Sequence, residues 1–427
     1  MSASIVLGSQ FGDEGKGKLV DYLMQRNVQV CARFNGGNNA GHSIQIGARM
    51  YHVHLLPSGI LTPSCVSVIG NGVVVHLPAL VAELTSVDLS PALAVGRLLI
   101  SDRAHVVFDF HQTIDGLIEA ALGDKKLGTT KRGIGPAYAD KAGRRGLRIA
   151  DVLDDTFEQR FLALVGNVQR EWGAALDATG YSGAAELAKL LALREQIRPL
   201  VCDTGAYLAQ AVRSGKSLLV EGANATMIDI DHGTYPFVTS SSPSVGGASV
   251  GLGIPPHLFA TVIGVVKAYT SRVGEGPFPT ENTDAPGQHM QKVGREFGTS
   301  TGRPRRCGWL DLNVVGYSHR LNGFTAINIT KLDILTSLKE IKLGVGYTLD
   351  GQPLPFGSMP ARLADLARCH VVYETFPGWD EDISKCTKRA DLPAAAQAYL
   401  ARIEQVLGVP AKWIGVGAGR DDTIVSD

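Results

Sequence analysis

Residues 6–23 are VLGSQFGDEGKGKLVDYL, and this stretch decides how the chain begins to fold. The run SIVL at residues 4–7 is short, apolar and partly β-branched, which is typical of a buried strand. After the glycines, apolar side chains return at helical spacing, at Leu19, Val20, Leu23 and Met24. The stretch therefore predicts a strand, a tight turn and a helix.

The turn between the strand and the helix is rich in glycine and charge. Its members are Gly8, Gly12, Gly15 and Gly17, with Asp13, Glu14, Lys16 and Lys18. Backbone N–H groups and ammonium groups can converge there on an anion at a helix N-terminus, which predicts a phosphate-binding turn. It is not a standard P-loop, because Leu19 stands where Ser or Thr is needed. The alternative is an ordinary glycine-rich turn, but acidic residues inside it favour a metal site.

The composition is that of a folded protein without a dominant charge. The 427 residues are 44% hydrophobic, and 41 basic residues balance 41 acidic ones. A neutral chain has no overall field that attracts nucleic acid or an anionic membrane, so an anion site has to be local. The six cysteines have no zinc-type spacing, and no apolar run approaches the roughly 20 residues of a membrane span. We expect a cytoplasmic protein that has reduced cysteines and binds neither membrane nor nucleic acid.

Short β-rich runs alternate with helical patterns along the whole chain. The runs include SIVLG, SLLVEGA, TVIGVVKAY and FTAINITKLD, and helical patterns cover residues 80–87, 156–213 and 392–407. This alternation predicts an α/β fold with a mostly parallel central sheet flanked by helices, in which ligands bind beyond the carboxyl ends of the strands. We find no repeat or linker and predict one domain over residues 1–427, with a possible helical subdomain at about 156–213.

Two further glycine-rich segments carry polar groups suited to a nucleotide. In RFNGGNNAGHSI, residues 33–44, His42 could donate a proton beside the phosphate-binding turn, although a lone histidine is often structural. In LGTTKRGIGPAYADKAGRRGLR, residues 127–148, hydroxyl and guanidinium groups suit a nucleotide monophosphate. The alternative for the second segment is a solvated basic loop.

Two later segments predict binding surfaces of different kinds. Residues 220–253 place Asn224, Thr226 and Thr239 in a polar lining whose ligand the sequence does not name, and a solvated loop is the alternative. In EFGTSTGRPRRCGW, residues 296–309, three hydroxyls precede three arginines, which suits a small dicarboxylate. A nucleic-acid patch is disfavoured there, because the segment is short and has few aromatic residues.

The segment INITKLDIL, residues 327–335, predicts a base-recognition site at the end of a strand. An ionised carboxylate such as that of Asp333 can accept hydrogen bonds from the N1–H and the N2 amine of guanine together. Adenine offers neither donor, so the site would distinguish GTP from ATP.

Taken together, these segments resemble the adenylosuccinate synthetase family, closer to its eukaryotic branch. The resemblance rests on GDEGKGK, NAGH, GIGPAY, DIDHGTYPFVTSS, KAYTSRVGEGPFPTE and TKLD, in this order over nearly the whole chain. It implies a P-loop-NTPase-like α/β fold with peripheral helical subdomains. It also implies a magnesium-dependent ligase that makes adenylosuccinate, GDP and phosphate from GTP, IMP and L-aspartate through 6-phosphoryl-IMP, in the first committed step of AMP synthesis from IMP.

The resemblance further implies a role for each matching residue. Asp13 would be general base and Mg²⁺ ligand, with the Gly41 carbonyl as second ligand, His42 as general acid and Lys16 as a catalytic cation. The GTP-binding residues would be Gly12, Asp13, Glu14, Gly15, Lys16, Gly17, Lys18, Gly41, His42, Ser43, Arg305, Lys331, Leu332, Asp333, Gly415, Val416 and Gly417. The IMP-binding residues would be Asp13, Lys16, Asn39, Ala40, Gly41, His42, Thr130, Arg144, Asn224, Thr239 and Arg303, with Arg144 from the partner subunit of a homodimer. The aspartate-binding residues would be Thr299, Ser300, Thr301, Gly302, Arg303, Pro304 and Arg305.

Two other functions remain as alternatives on the residues alone. A GTP-binding switch without turnover would need neither the Asp13/His42 pair nor an arginine-rich loop. An ATP-dependent ligase of another substrate pair is disfavoured by Asp333. Asn224 stands where many bacterial family members have Gln, which keeps the amide but shortens its reach.

Overall fold

A ten-stranded sheet runs through the computed structural model, which describes residues 3–46, 49–123, 127–297, 302 and 304–426. The strands in chain order are β1 Ala3–Gly8, β2 Val30–Arg33, β3 His42–Ile46, β4 Arg49–Val53, β5 Val66–Ile69, β6 Val74–Val75, β7 Leu98–Ser101, β8 His105–Val106, β9 Val201–Cys202, β10 Leu218–Glu221, β11 Phe259–Lys267, β12 Thr270–Arg272, β13 Arg306–Gly308, β14 Leu310–Asp311, β15 Ala326–Thr330, β16 Glu340–Leu349, β17 Gln352–Pro353, β18 His370–Pro377, β19 Ala411–Gly415 and β20 Thr423–Val425. The main sheet has the order β20-β19-β15-β11-β1-β10-β2-β5-β7-β9, and only the β19–β20 pair is antiparallel. The predicted mostly parallel sheet is confirmed.

Helices lie between most of these strands. They are α1 Lys16–Met24, α2 Leu77–Ser86, α3 Asp109–Ala121, α4 Ile134–Ala142, α5 Ile149–Val152, α6 Phe157–Asp177, α7 Gly183–Ile197, α8 Thr204–Arg213, α9 Val245–Leu252, α10 Ala285–Val293, α11 Leu312–Asn322, α12 Leu363–Arg368 and α13 Ala394–Leu407. The helices predicted near residues 80–87 and 392–407 correspond to α2 and α13. In the described part of the chain, no helix is long and apolar enough to cross a membrane.

The block at residues 156–213 divides between two parts of the fold. Phe157, Phe161 and Leu190 of α6 and α7 join a cluster of buried side chains around α2 and α3. In α8, by contrast, Leu208 and Val212 pack into the core of the main sheet. The helical content is as expected, and the boundary of a separate subdomain stays a prediction.

The centre of the main sheet positions the polar segments. Strand β1 lies between β10 and β11, with Val6 opposite both Glu221 and Ile263. Because β1, β2, β10 and β15 run parallel, the segments that follow them leave the sheet at the same edge. Four of the six segments that the sequence singled out follow these strands, so the fold gathers them at one edge.

Candidate active site

A cavity of about 1070 Å³ opens at the carboxyl edge of the main sheet. The predicted site residues that line it are Gly12, Asp13, Gly15, Lys16, Gly17, Lys18, Asn39, Ala40, Gly41, His42, Thr130, Asn224, Thr239, Arg305 and Lys331. The described residues that were predicted for the site but lie outside this lining are Glu14, Arg144, Gly302, Pro304, Leu332, Asp333, Gly415, Val416 and Gly417. The structure thus brings together segments that are separated by up to about three hundred positions.

The turn after β1 is folded around the carboxylate of Glu14. Its Oε1 accepts hydrogen bonds from the backbone N–H groups of Gly12 at 2.8 Å and Gln10 at 3.1 Å, and its Oε2 is 2.8 Å from Lys16 Nζ. Glu14 is fully buried, and a Cβ on Gly8 would lie 2.6 Å from its Oε2. The Glu14 side chain therefore holds the turn together by occupying the N–H groups of Gly12 and Gln10.

Asp13 projects from this turn toward a cluster of buried charges. Its backbone has a φ of 58°, in the left-handed region, and its Oδ2 lies 2.7 Å from Arg305 Nη2. Arg305 also contacts the buried Glu296 at 3.0 Å, which in turn contacts Lys267 at 2.9 Å and Lys331 at 2.5 Å. Burial works against ionisation of Glu296, but the two lysines outweigh it and hold the pKa of that carboxyl well below its usual range. Glu296 thereby anchors two of the predicted binding residues.

His42 forms an ion pair with Glu221, which the sequence analysis did not single out. Glu221 ends β10 and is fully buried; it accepts hydrogen bonds from the backbone N–H and the hydroxyl of Ser58, both at 2.8 Å. Burial works against its ionisation, but the charge and hydrogen bond of His42 and the Ser58 N–H lower the pKa of Glu221 to about 2. The contact uses Nδ1 of His42, so the other ring nitrogen, Nε2, takes no part in it. The feature that could have identified Glu221 from the sequence is its position as an acidic residue at the end of an apolar strand.

The predicted IMP side of the cavity carries amide and hydroxyl groups. Asn39 Oδ1 accepts a hydrogen bond from the Gly37 N–H at 3.1 Å, and Thr239 Oγ1 lies 3.4 Å from Ser241 Oγ. Asn224 has a φ of 64°, and its buried Oδ1 has no hydrogen-bond partner among the described residues. Because an unpartnered buried acceptor is costly, this oxygen is available to a ligand.

Of the predicted guanine residues, Lys331 lines the cavity and Asp333 follows it in the chain, outside the lining. Lys331 donates to the Gly294 carbonyl at 2.8 Å and has a φ of 59°. Asp333 Oδ1 is buried and lacks a hydrogen-bond partner in the described part of the chain. Burial raises the pKa of Asp333, and the charges of Lys18 and Lys331 oppose that effect. This carboxylate has the free acceptor that the sequence argument requires.

Lys18 differs from the expectation for a phosphate ligand. Its ammonium donates to the carbonyls of Gly417 and Asp422, both at 2.8 Å. The sequence suggested a contact with the triphosphate because Lys18 follows the glycine-rich turn. The structure instead directs it to the loop between β19 and β20.

The segment at residues 296–309, which holds the predicted aspartate loop, is described at residues 296–297, 302 and 304–309. Thr299, Ser300, Thr301 and Arg303 lie outside the described residues. Phe297 and Pro304 form an isolated antiparallel bridge, and the Arg305 N–H donates to the Glu296 carbonyl at 2.9 Å. The ends of the segment are therefore held together beside Asp13.

Arg144 lies at the surface, in the loop after α4. It is exposed, has a φ of 59°, and its side chain has no hydrogen bond or ion pair with the described residues. Its neighbour Arg145 lines the cavity and contacts Asp140 at 2.9 Å. Arg144 is thus not part of the lining of its own cavity.

The donor set at the cavity suits a hard divalent cation. The Asp13 carboxylate is 38% exposed, and Asp13 and Gly41 both line the cavity. No cluster of three or more His, Cys, Asp or Glu side chains that could hold a metal occurs among the described residues. Mg²⁺ commonly takes one or two protein oxygens and completes its shell with water and substrate phosphates, so two oxygens beside a phosphate-binding turn fit it.

Comparisons with known proteins agree on one family. The adenylosuccinate synthetase family model matches residues 5–424. The chloroplastic adenylosuccinate synthetase of Chlamydomonas reinhardtii is 52% identical over 99% of this chain and 91% of its own length. The adenylosuccinate synthetase of Coprinopsis cinerea is 52% identical over 99% of each chain. Among solved structures, fully ligated adenylosuccinate synthetase from Plasmodium falciparum superposes with a TM-score of 0.95, at 41% identity over 100% of both chains.

Proposed function

Because the chain belongs to the adenylosuccinate synthetase family, it is a carbon–nitrogen ligase of AMP biosynthesis that joins L-aspartate to IMP with GTP, and we propose that the cavity at the sheet edge is its active site. The observation that carries the assignment is the placement of Asp13, Lys16 and His42 in one cavity, with the buried Glu221 in contact with His42 Nδ1. A GTP-binding switch needs no such pair. The residue roles below rest on this geometry together with the family resemblance.

Asp13 is the base in the first step. It removes the N1 proton of the hypoxanthine ring, and the electron pair moves to O6. O6 then attacks the γ-phosphorus of GTP, the bond from that phosphorus to the bridging oxygen breaks, and 6-phosphoryl-IMP and GDP form. A positioned base contributes about 10²–10⁴-fold to such a step.

His42 and Lys16 act on the charge that develops on the phosphates. His42 donates a proton or hydrogen bond through Nε2 to the oxygen that leaves with GDP. Glu221 is a positioning residue, because its carboxylate contacts Nδ1 and holds the ring in place. Lys16, held by Glu14, adds a fixed positive charge at the start of α1. Most of the remaining acceleration comes from alignment and charge stabilisation.

The second step joins aspartate to the activated ring. The aspartate amine attacks C6, the bond from C6 to the phosphorylated oxygen breaks, and phosphate leaves. Thr299, Ser300, Thr301 and Arg303, with Gly302, Pro304 and Arg305, form the aspartate loop in this proposal. Arg305 would grip a substrate carboxylate, since a guanidinium group binds carboxylates in a bidentate manner.

One Mg²⁺ per subunit completes the proposed site. Asp13 and the Gly41 carbonyl would hold it, and when bound it supplies positive charge to the phosphate oxygens of GTP. A cytoplasmic location stays a prediction, because one close relative is named as chloroplastic.

The experiment that tests the function is phosphate release by the purified protein. We expect release only when Mg²⁺, GTP, IMP and L-aspartate are all present, with a change in product absorbance as hypoxanthine becomes a substituted adenine. ATP in place of GTP should give little release. Release with GTP alone would favour the switch, and equal release with ATP would contradict the role of Asp333.

We also propose that the enzyme is a homodimer in which each subunit lends Arg144 to the IMP site of the other. The exposed guanidinium group on a left-handed loop supports this role, because it has no hydrogen bond or ion pair with the described residues of its own subunit and lies outside the lining of its cavity. Thr130, Asn224, Thr239 and Arg303 would supply the remaining contacts to IMP.

Subunit complementation tests the shared site. Asp13→Asn and Arg144→Ala should each be nearly inactive alone, but a mixture refolded at equal amounts should regain about a quarter of wild-type activity. Half of the dimers are then mixed, and each mixed dimer has one intact site. Sedimentation of each variant serves as the control for assembly. A mixture that stays inactive, although it forms mixed dimers, would place Arg144 in its own subunit's site.

A further inference from the structure

Lys18 connects the first helix to the last loop of the chain. It is the third residue of α1, and its ammonium donates to the Gly417 and Asp422 carbonyls at 2.8 Å each. An ammonium group has three donors, so these two contacts take most of its capacity. A lysine aimed at a triphosphate would have to give up both contacts.

Side chains of helix α1 contact the loop at residues 416–422. Its glycines leave no room for side chains, since a Cβ on Gly417 would lie 2.5 Å from Asp422 Oδ2. Within the loop, Asp422 Oδ2 accepts from the Gly419 N–H at 2.6 Å. From outside, Asp21 of α1 contacts Arg420 at 2.8 Å, one helical turn after Lys18. Two side chains on one face of α1, those of Lys18 and Asp21, therefore contact the glycine-rich loop and hold it in place.

The positive charge of Lys18 acts on the carboxylates of the same loop and on Asp333. Its attraction to Asp422, Asp333 and Asp421 opposes the desolvation that lowers the pKa of Lys18. In return, Lys18 favours the ionised form of Asp333, whose buried Oδ1 has no hydrogen-bond partner among the described residues. Only the ionised carboxylate can accept both guanine donors.

We propose that Lys18 is a positioning residue of the guanine subsite and not a ligand of the triphosphate. It holds the loop at residues 416–422 in place beside the base and keeps Asp333 charged. This inference rests on the proposed function, because it takes Asp333 as the acceptor of guanine.

The test compares the binding of GDP and IDP, which have the same phosphates and differ only in the N2 amine of the base. Dissociation constants are measured by calorimetry for wild type, Lys18→Met and Asp333→Asn. Since a hydrogen bond to a charged group is worth about tenfold or more in affinity, wild type should prefer GDP by at least about tenfold. In both variants we expect this preference to fall to about threefold or less. Inorganic tripolyphosphate should bind wild type and Lys18→Met equally well.

The opposite pattern would overturn the inference. If Lys18→Met weakens GDP, IDP and tripolyphosphate by the same factor and keeps the preference for GDP, Lys18 is a phosphate ligand. A wild-type protein without a preference for GDP would contradict the guanine assignment and this inference with it. Phosphate release from GTP that needs neither IMP nor L-aspartate would separately identify a failure of the proposed function.

Two further variants keep the result interpretable. Lys412→Met removes an exposed lysine on β19, the strand before the loop, and should leave the preference unchanged. If Lys18→Met does not fold, Lys18→Arg is measured in the same way, because it keeps the charge but not the geometry of the two carbonyl contacts. A reduced preference for GDP in Lys18→Arg supports the inference, and an unchanged one contradicts it.

Discussion

Asp13→Asn is expected to lower kcat by about 10²–10⁴-fold, because the amide cannot take the N1 proton of the purine. The substitution keeps the size of the side chain. It also suits the backbone, since Asn adopts the left-handed φ of 58° found at this position more readily than most residues. The Michaelis constant for IMP should change by less than about threefold, as the lost proton transfer belongs to the transition state, whereas that for GTP should rise, because an amide is a weaker Mg²⁺ ligand than a carboxylate. Steady-state kinetics with each substrate varied in turn measures both effects.

A matched control separates chemistry from the loss of an ion pair. Asp350 also has a left-handed backbone, with a φ of 51°, and it also contacts an arginine, Arg368, at 3.0 Å. It is 67% exposed and lies outside the cavity lining. Asp350→Asn should therefore leave kcat unchanged. If Asp13→Asn lowers kcat no more than this control does, the base is another group.

The loss of Asp13 has a second consequence at Arg305. The guanidinium group keeps its contact with Glu296 at 3.0 Å but loses the one with Asp13 at 2.7 Å. A freed donor can grip a substrate carboxylate more readily. In the Asp13→Asn variant we therefore expect the dissociation constant for L-aspartate to stay the same or fall, while kcat collapses. This opposite movement would not arise from a damaged fold.

The strand, turn and helix at the start of the chain, and the parallel sheet around them, could be predicted from the sequence. Apolar β-branched runs and helical spacing are local patterns, and β1 and α1 lie where these patterns place them. The gathering of the glycine-rich segments at one edge then followed from the parallel strands. The sequence was sufficient for those elements whose type and position are determined by backbone preference and by the burial of apolar side chains.

The directions of the charged side chains could not be predicted. Lys18 and Glu14 are four positions apart in the sequence. Lys18 donates to the Gly417 carbonyl, 399 positions away, whereas Glu14 accepts from the nearby Gly12 N–H. Glu221 was missed because it ends an apolar strand and gains its partners, His42 and Ser58, only through the sheet. Such contacts depend on tertiary packing, which local patterns do not contain.

Glu221→Gln is expected to lower kcat by about 10²-fold, because the residue that contacts the second ring nitrogen of a catalytic histidine sets the orientation and tautomer of its ring. The substitution also removes a fully buried negative charge that faces His42 and Arg33. Breaking one partner of a buried pair costs about 3–5 kcal/mol in the free energy of unfolding. Kinetics and urea unfolding at pH 7 measure the two effects separately.

The pH dependence of stability gives a further signature of Glu221. The pKa of its carboxyl is lowered from 4.5 to about 2 in the folded protein. The stabilisation from the ionised carboxylate is therefore fully present well above pH 4.5 and is lost as the pH falls toward 2. The difference in unfolding free energy between wild type and Glu221→Gln should shrink over that window. Urea unfolding of both proteins at several pH values measures it.

Two variants decide whether Glu221 acts on catalysis or only on stability. Glu374→Gln removes the partner of Arg402 in a half-exposed ion pair on β18, and should leave kcat unchanged. Glu221→Asp keeps the charge and should recover part of kcat relative to Glu221→Gln, because the carboxylate can still face the imidazole. If Glu221→Gln folds and keeps wild-type kcat, Glu221 is structural and His42 is oriented by another group. If both Glu221 variants lose kcat equally, the position of the carboxylate matters as much as its charge, since aspartate is one methylene shorter and ends farther from Nδ1.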